Sequence, residues 1–462
     1  MNYFLPLNEK PKDKMAIAWL YVAVGFLLAS GVYPLLLALA RTTYDMPWKD
    51  FFYTALVLHV DFTVLWWLLA IGGVFWTLNT TDRAINSARM ALLLVIAGGI
   101  LVAISPLTDK ANPLTNNYVP MLENRYFIKG MIVFGGGILI LSLRSIIFIP
   151  LKSTFRDDPQ GCLRFSIWTA AVITLLSILA LFWSWLQLPG DLQHRAYYEP
   201  LFWAGGHILQ FTHTAFLAVC WLWLMNICGL KTPVSSRILF AALAFSLILV
   251  LFSFLPFVQY RSGEPGFILF FVRLMEDGNG ISPFVIGFAV LWAMLKGPLP
   301  TADNKHLYLG LLSSLLLFAV GGILGLFIGT SSTLITAHYH GSTVAITMAF
   351  MAMTYYWLPG FGFSRPNSKW ANIQILMYAF GQFLHIAGLA WGGGYGMKRK
   401  ILGTTQDLQI QSFISPQDLI GVGGIVSVVS GILFAVMVLP IMLRGRKTGN
   451  DSITLGENHA NK

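Results

Sequence analysis

Charged residues are scarce in this chain of 462 residues. Asp, Glu, Lys and Arg make up 11% of it and hydrophobic residues 56%, whereas about a quarter of a soluble protein is charged. This balance excludes a soluble globular enzyme and indicates a protein that crosses a membrane many times. Cysteine is scarce too. Cys162, Cys220 and Cys228 show neither CxxC nor metal-ligand spacing, so they indicate no metal site and no redox compartment.

The net charge of +10 does not indicate a nucleic-acid partner, because the basic residues are scattered over short loops, as is typical of membrane topology. Twelve apolar runs have about the 20-residue length of a membrane-spanning helix. They lie near 15–40, 51–78, 87–106, 127–150, 163–187, 200–228, 236–258, 281–296, 307–329, 332–358, 371–391 and 418–443. The pattern predicts an all-α membrane protein with twelve transmembrane helices. A membrane domain, 15–443, would lie between a cytoplasmic N-terminal segment, 1–14, and a cytoplasmic polar tail, 444–462.

Most basic residues fall on one side of these twelve spans, which the positive-inside rule makes cytoplasmic. They are Lys10, Lys12, Lys14, Arg83, Arg89, Lys152, Arg156, Lys231, Arg237, Lys296, Lys305, Arg365, Lys369, Arg444, Arg446 and Lys447. Both termini are then predicted to be cytoplasmic.

The longer loops lie on the opposite side, near 107–124, 188–199, 259–280 and 392–417. The last of them breaks the charge rule, because it carries the basic triplet Lys398-Arg399-Lys400. The triplet is either a solvated loop or lipid-binding patch, or a set of counter-ions for buried anionic groups.

Histidine is unexpectedly frequent in the predicted spans. Six of the nine histidines fall there: His59, His207, His213, His338, His340 and His385. Ionisable residues at membrane depth tend to mark function, and neutral imidazole is a ligand for heme iron or copper. A single membrane histidine more often forms a hydrogen bond between helices, but six together favour ligands.

Two of these histidines, His338 and His340, are one residue apart in the tenth predicted helix. Positions two apart differ by about 200° around a helix, so the two rings leave on opposite sides and serve two sites. Just upstream, Gly321, Gly322 and Gly325 permit the close approach of a neighbouring helix or of a flat ligand.

At this point the chain resembles subunit I of the heme-copper oxidases, the superfamily of cytochrome c oxidases and nitric oxide reductases. Ala337–His340 and the preceding glycine-rich helix are similar to its tenth and ninth helices. Leu58–Asp61 resembles its low-spin heme ligand segment, and Phe202–His207 the start of its sixth helix. Tyr395–Arg399 resembles the basic pair that holds heme propionates. The resemblance covers nearly the whole chain.

The resemblance implies two hemes, with b-type hemes preferred. His59 and His340 would be the axial ligands of a low-spin heme, and His338 the proximal ligand of a high-spin heme with one open position. Lys398 and Arg399 would hold the propionates. The resemblance also implies the inner membrane of a bacterium, a c-type cytochrome or cupredoxin as electron donor, and O₂ or NO as the bound gas.

The chain departs from the family at the non-heme metal. His207 matches the first of three histidine ligands, but the adjacent histidine pair is missing, because no histidine lies between His213 and His306. The best alignment places Phe257 and Val258 there, and Phe211 where the family has Tyr or Glu. His213 points away from His207.

The sequence therefore predicts a degenerate site in which non-heme copper or iron is doubtful and His207 is a remnant ligand. A metal held by His207 with Glu264, Glu276 or Asp277 is the alternative, although carboxylates suit harder metals than copper.

The predicted function is a di-heme membrane oxidoreductase in which His338 and His207 flank the reacting gas. Proton pumping is not expected, because Asp61 is the main acidic residue in the predicted helix interiors. Asp61 is predicted to be either a partner of His59 or a proton-carrying group. The alternative function is a non-catalytic heme protein that relays electrons or senses a diatomic gas. A transporter explains neither the paired histidines nor the outer basic triplet.

Overall fold

A computed structural model describes residues 3–7, 11–40, 51–108, 111–329, 331–400 and 414–446. The predicted polar tail beyond residue 446, with Lys447 and His459, lies outside these residues, as do Lys10 and half of the predicted loop 392–417. The α-helices are α1 Pro11–Ala40, α2 Phe52–Asp61, α3 Leu68–Leu78, α4 Ile85–Ile104, α5 Arg125–Ile147, α6 Leu151–Thr154, α7 Pro159–Gln187, α8 His194–Ile227, α9 Ser236–Phe252, α10 Pro256–Gln259, α11 Pro265–Leu274, α12 Ile281–Lys296, α13 Lys305–Gly325, α14 Thr333–Gly360, α15 Ser368–Gly394 and α16 Pro416–Leu443.

Eleven helical segments of the described chain are long and apolar enough to cross a membrane. The remaining long helix is α14, whose 28 residues reach across a bilayer. Its outer part carries His338, His340 and several hydroxyl residues, so it is less apolar than the others. The predicted all-α architecture of about twelve membrane helices is confirmed.

The eighth span begins earlier than predicted, at Pro265 rather than near residue 281. A continuous helical segment, Pro265–Lys296, replaces the predicted outer loop. α11 passes into α12 through a π-helical turn, Met275–Asn279, that carries Glu276 and Asp277. Glu276 lies exposed in that turn and pairs with Arg273 at 2.9 Å. The carboxylates therefore stay on the surface while the backbone remains helical.

Glycines let the helices around the paired histidines pack backbone to backbone. A Cβ on Gly321 of α13 would lie 2.5 Å from the backbone nitrogen of Ser342 on α14, and a Cβ on Gly341 would overlap Gly321. Of the two uses predicted for the glycine-rich helix, close approach of a neighbouring helix is the one that Gly321 serves.

Three apolar clusters lie among the described residues, the smallest of them between α1 and α2. The largest joins most of the helices and includes fully buried tryptophans such as Trp67 and Trp357. The second lies among α7 to α11 and contains Phe211, Phe257 and Phe271. On the outer side, a short antiparallel hairpin pairs β1, Asn112–Leu114, with β2, Met121–Glu123. The residues between its strands reach α8 and the end of α15.

The second span changes from α2 to α3 through another π-helical turn, Phe62–Trp67. Asp61 lies just before this turn and is fully buried. Neither of its carboxylate oxygens has a hydrogen-bond partner among the described residues. His59 instead has its Nδ1 3.4 Å from Thr63 Oγ1. Asp61 therefore does not orient His59, which was one of its two predicted roles.

Candidate functional site

His338 is held from the neighbouring helix. Its Nδ1 lies 2.8 Å from the carbonyl oxygen of Gly321 on α13. Because a carbonyl can only accept, Nδ1 carries the proton and Nε2 is the acceptor nitrogen of a neutral imidazole. A Cβ on Gly325 would lie 2.7 Å from this Nδ1, so Gly325 provides the space in which the ring sits. This is the arrangement of a metal-ligating histidine.

His340 leaves α14 toward different neighbours. Its Nδ1 donates to the carbonyl oxygen of Thr336 at 3.0 Å, which again makes Nε2 the acceptor. Its ring contacts that of His385 on α15, with the centroids 4.8 Å apart. One ring is thus anchored on α13 and the other lies beside α15, as the helical spacing of the pair predicts.

His59 and His340 lie at the same depth. Trp67 of the second span donates its indole N–H to Thr347 of α14 at 3.3 Å, and these two spans run in the same direction. His59 lies eight residues before Trp67, and His340 lies seven residues before Thr347. At 1.5 Å per residue, each histidine is displaced along its helix by about 11 Å from the Trp67–Thr347 contact. His340 and Thr347 also share one face of α14. The arrangement suits a flat ligand held between the second and tenth spans.

His385 is the residue that sequence reasoning left without a role. Its Nδ1 donates to the carbonyl oxygen of Ile420 on α16 at 2.8 Å. It lies nine residues before Gly394, the end of α15, and His340 lies seven residues after Thr333, the start of α14. Because α14 and α15 run in opposite directions, these spacings put His340 and His385 at a similar depth. The sequence alone could have indicated that the two residues meet.

His207, the predicted remnant ligand, has both ring nitrogens occupied. Its Nδ1 donates to the carbonyl oxygen of Trp203 at 2.6 Å. Its Nε2 lies 2.6 Å from the hydroxyl of Tyr118, on the outer segment between β1 and β2. Because Nδ1 holds the ring proton, the hydroxyl must donate to Nε2. Tyr118 therefore occupies the nitrogen that a metal would need.

The surroundings of His207 are aromatic rather than ligating. The rings of Tyr118, Trp203 and Phe271 lie 4.4, 4.8 and 5.5 Å from its ring, centroid to centroid. Phe211 and Phe257 belong to the apolar cluster beside it. Both occupy positions that the alignment equated with the family's missing ligands. Val258, the third such position, is 79% exposed.

The alternative metal site with acidic ligands is also unsupported. Glu264, Glu276 and Asp277 are exposed, whereas His207 is buried. Among the described residues, no group of three or more His, Cys, Asp and Glu side chains is arranged to hold a metal ion. The residues present do not fit a non-heme metal at His207, while those around His338 and His340 do fit heme.

Two residues of the outer basic triplet, Arg399 and Lys400, bind a neighbouring segment of the same chain. Arg399 donates to the side-chain oxygen of Asn117 at 2.5 Å. Lys400 Nζ donates to the carbonyl oxygens of Thr115 and Asn116 at 2.7 and 2.6 Å. Burial, and secondarily the charge of Arg399, lowers the pKa of Lys400 to about 7. Of the predicted roles, a solvated loop does not describe Lys400, whose ammonium group is buried against two carbonyls.

Lys398 differs from these two neighbours because its side chain is exposed. Together with Arg195, Arg399, Lys400, Thr115 and Ser331 it lines a cavity of about 330 Å³. Four cationic side chains and two hydroxyls make this cavity a place for anionic groups.

The segment 115–118 is therefore held at every residue. Besides the bonds to Thr115, Asn116 and Tyr118, the side chain of Asn117 donates to Glu199, which also lies 3.5 Å from Arg195. The segment joins the outer part of α8 to the end of α15.

The fold and site define a helical integral membrane protein in which His338 and His340 each donate Nδ1–H to a backbone carbonyl. A family model, cytochrome c and quinol oxidase polypeptide I, matches residues 14–442. The chain belongs to this family, which confirms the resemblance seen in the sequence; the family binds hemes.

Two relatives are described only as uncharacterised proteins. One, from Rickettsia prowazekii, is 26% identical over 500 aligned positions, covering 92% of this chain and 96% of the relative. The other, from Aquifex aeolicus, is 28% identical over 359 positions, covering 76% and 86%.

Proposed function

We propose that this protein is a di-heme membrane oxidoreductase acting on O₂ or NO, with a c-type cytochrome or a cupredoxin as its electron donor. His59 and His340 are the axial ligands of a low-spin heme, and His338 is the proximal ligand of a high-spin heme. The b-type is the proposed heme type, and the proposed location is a bacterial inner membrane with both termini cytoplasmic. When bound, the hemes supply one-electron transfer and an open iron position for a diatomic gas.

The observation that carries this proposal is the opposite anchoring of His338 and His340 on α14. Each donates Nδ1–H to a carbonyl, so each presents Nε2 as a neutral ligand. Lys398 and Arg399 line a cationic cavity on the outer side, which supports their proposed role toward propionates. These residues hold, orient and charge-balance the cofactors.

The state of His207 limits the proposed chemistry. With Nε2 of His207 bonded to Tyr118, this nitrogen is not open to a second metal. The oxidoreductase is therefore proposed to work without a non-heme metal and without proton pumping. The same observation favours a second candidate, a non-catalytic heme protein on this scaffold that relays electrons or senses a diatomic gas.

The deciding experiment combines heme spectroscopy, metal analysis and turnover on the purified protein. A reduced-minus-oxidised spectrum and a pyridine hemochromogen assay are expected to give two hemes per chain, with iron and no stoichiometric copper. O₂ and NO electrodes with reduced cytochrome c then distinguish the two candidates: sustained consumption of either gas identifies the enzyme, and binding without consumption the relay or sensor. A colourless protein rules out both.

A further inference from the structure

His385 has no role in the proposed function, yet it is the imidazole whose ring directly contacts His340. The ring centroids are 4.8 Å apart and the planes are inclined by 44°. Both residues lie in membrane helices at a similar distance from the outer helix ends. His385 is therefore placed to act on the proposed axial ligand.

The separation does not match two imidazoles on opposite sides of one heme iron. A metal–imidazole nitrogen distance is about 2.0 Å, so two imidazoles on opposite sides of one metal have nitrogens about 4 Å apart. Their ring centres are then farther apart than the 4.8 Å observed here. His340 and His385 instead pack as an aromatic pair.

His385 is itself rigidly placed. Its Nδ1 donates to Ile420 of α16 at 2.8 Å, and α16 approaches closely at this level. A Cβ on Gly388 would lie 2.7 Å from the carbonyl oxygen of Pro416, and a Cβ on Gly423 would overlap the backbone of His385. The glycines bring α15 and α16 together, which puts the Ile420 carbonyl within reach of the ring.

We infer that His385 is a positioning residue for His340: its ring, anchored on α16, fixes the plane in which the His340 imidazole lies. The inference rests on the proposed role of His340 as a heme ligand. The orientation of an axial imidazole is set by such outer contacts and tunes the iron that it binds. Loss of His385 is therefore expected to change the low-spin heme without removing it.

Two variants distinguish the effect of the His385 ring from the effect of its hydrogen bond to Ile420. His385→Asn retains an N–H donor near the position of Nδ1 but removes the ring. His385→Phe retains a flat ring but removes the donor. The matched control is His306→Phe on α13, because His306 is a buried histidine whose ring lies 5.9 Å from that of Tyr355, away from the paired histidines.

The measurements are heme content, the electron paramagnetic resonance g-values of the ferric low-spin heme, and its midpoint potential. His385→Asn is expected to keep two hemes but to shift the g-values. It should change the electron distribution between the hemes by up to about tenfold, or about 59 mV for one electron. His385→Phe should show a smaller change in the same signals, and His306→Phe none.

Two results would overturn the inference. One is a His385→Asn protein with wild-type g-values and potential, and the other is conversion of its low-spin heme to high spin, which would make His385 a ligand. If this variant does not accumulate in the membrane, His385→Leu provides the same comparison. A wild-type protein without heme would instead refute the proposed function, so the two failures are distinguishable.

Discussion

His338 and His207 have the same kind of partner at one ring nitrogen, a backbone carbonyl, but differ at the other ring nitrogen. Each donates Nδ1–H to a backbone carbonyl, at 2.8 Å to Gly321 and at 2.6 Å to Trp203. The difference lies at Nε2, where His207 accepts the Tyr118 hydroxyl and no described residue bonds to His338. Within one protein, the same tautomer thus keeps an open acceptor nitrogen among the described residues at one site and has it satisfied by a tyrosine at the other.

The surroundings of the two histidines, one on each side of the proposed reaction site, differ as well. The His338 side has a glycine, Gly325, that keeps space around the ring. The His207 side has three aromatic rings packed around the imidazole. The predictions below test this contrast, from the largest expected effect to the smallest.

Removing a proposed ligand should have the largest effect. His338→Ala is expected to abolish CO binding, and His340→Ala to abolish the low-spin signal, because each variant removes the proposed ligand nitrogen itself. Reduced-minus-oxidised and CO-difference spectra measure both losses. Unchanged CO binding in His338→Ala would show that His338 is not the proximal ligand.

Gly325→Ala should disturb His338 without touching its chemistry. The new methyl group would lie 2.7 Å from Nδ1, and overpacking of this kind costs about 1–3 kcal/mol. CO binding should fall while the low-spin signal remains. Gly322→Ala is the matched control, because a Cβ there meets nothing within 4 Å. If CO binding fell equally in both variants, Gly325 would not be the residue that provides space for the His338 ring.

Tyr118→Phe should destabilise the protein without changing its metal content. The substitution leaves the buried Nε2 of His207 without a donor, which costs about 1–3 kcal/mol. Thermal unfolding should show the loss, while Tyr395→Phe, at a residue that is 64% exposed, serves as control. His207→Ala should likewise keep all iron. Stoichiometric copper in the wild type that is lost in His207→Ala would show that His207 ligates a metal.

The smallest expected effect is a pH dependence of the outer segment 115–118. Burial lowers the pKa of Lys400 from 10.5 to about 7, so the unfolded chain binds more protons between these values and stability rises with pH there. Hydrogen exchange of residues 111–118 should therefore slow from pH 7 toward pH 10 after correction for the intrinsic rate. The dependence should vanish in Lys400→Met; if it persists there, another group causes it.

Local geometry explains what the sequence could predict. The twelve spans follow from apolar length, and the divergence of His338 and His340 follows from helical angle alone. The predicted loop 259–280 is instead largely helical, because a π-helical turn joins α11 to α12 and keeps Glu276 and Asp277 on the surface.

Contacts between distant parts of the chain could not be predicted in this way. Tyr118 and His207 are separated by 89 positions, and His340 meets His385 only because α14 packs beside α15. The missing metal ligands were visible in the sequence, but the tyrosine that satisfies His207 was not. For the same reason, the partners of Arg399 and Lys400 on the outer segment were unexpected.

The bonds of the segment 115–118 also bear on how the protein is made. Its partners are Glu199 and His207 on α8 and Arg399 and Lys400 after α15. A ribosome must therefore translate about the first 400 of the 462 residues before the segment has all of its partners. We therefore expect ordering of this segment to be a late step of membrane insertion, and its resistance to an added protease should mark chains that have completed assembly.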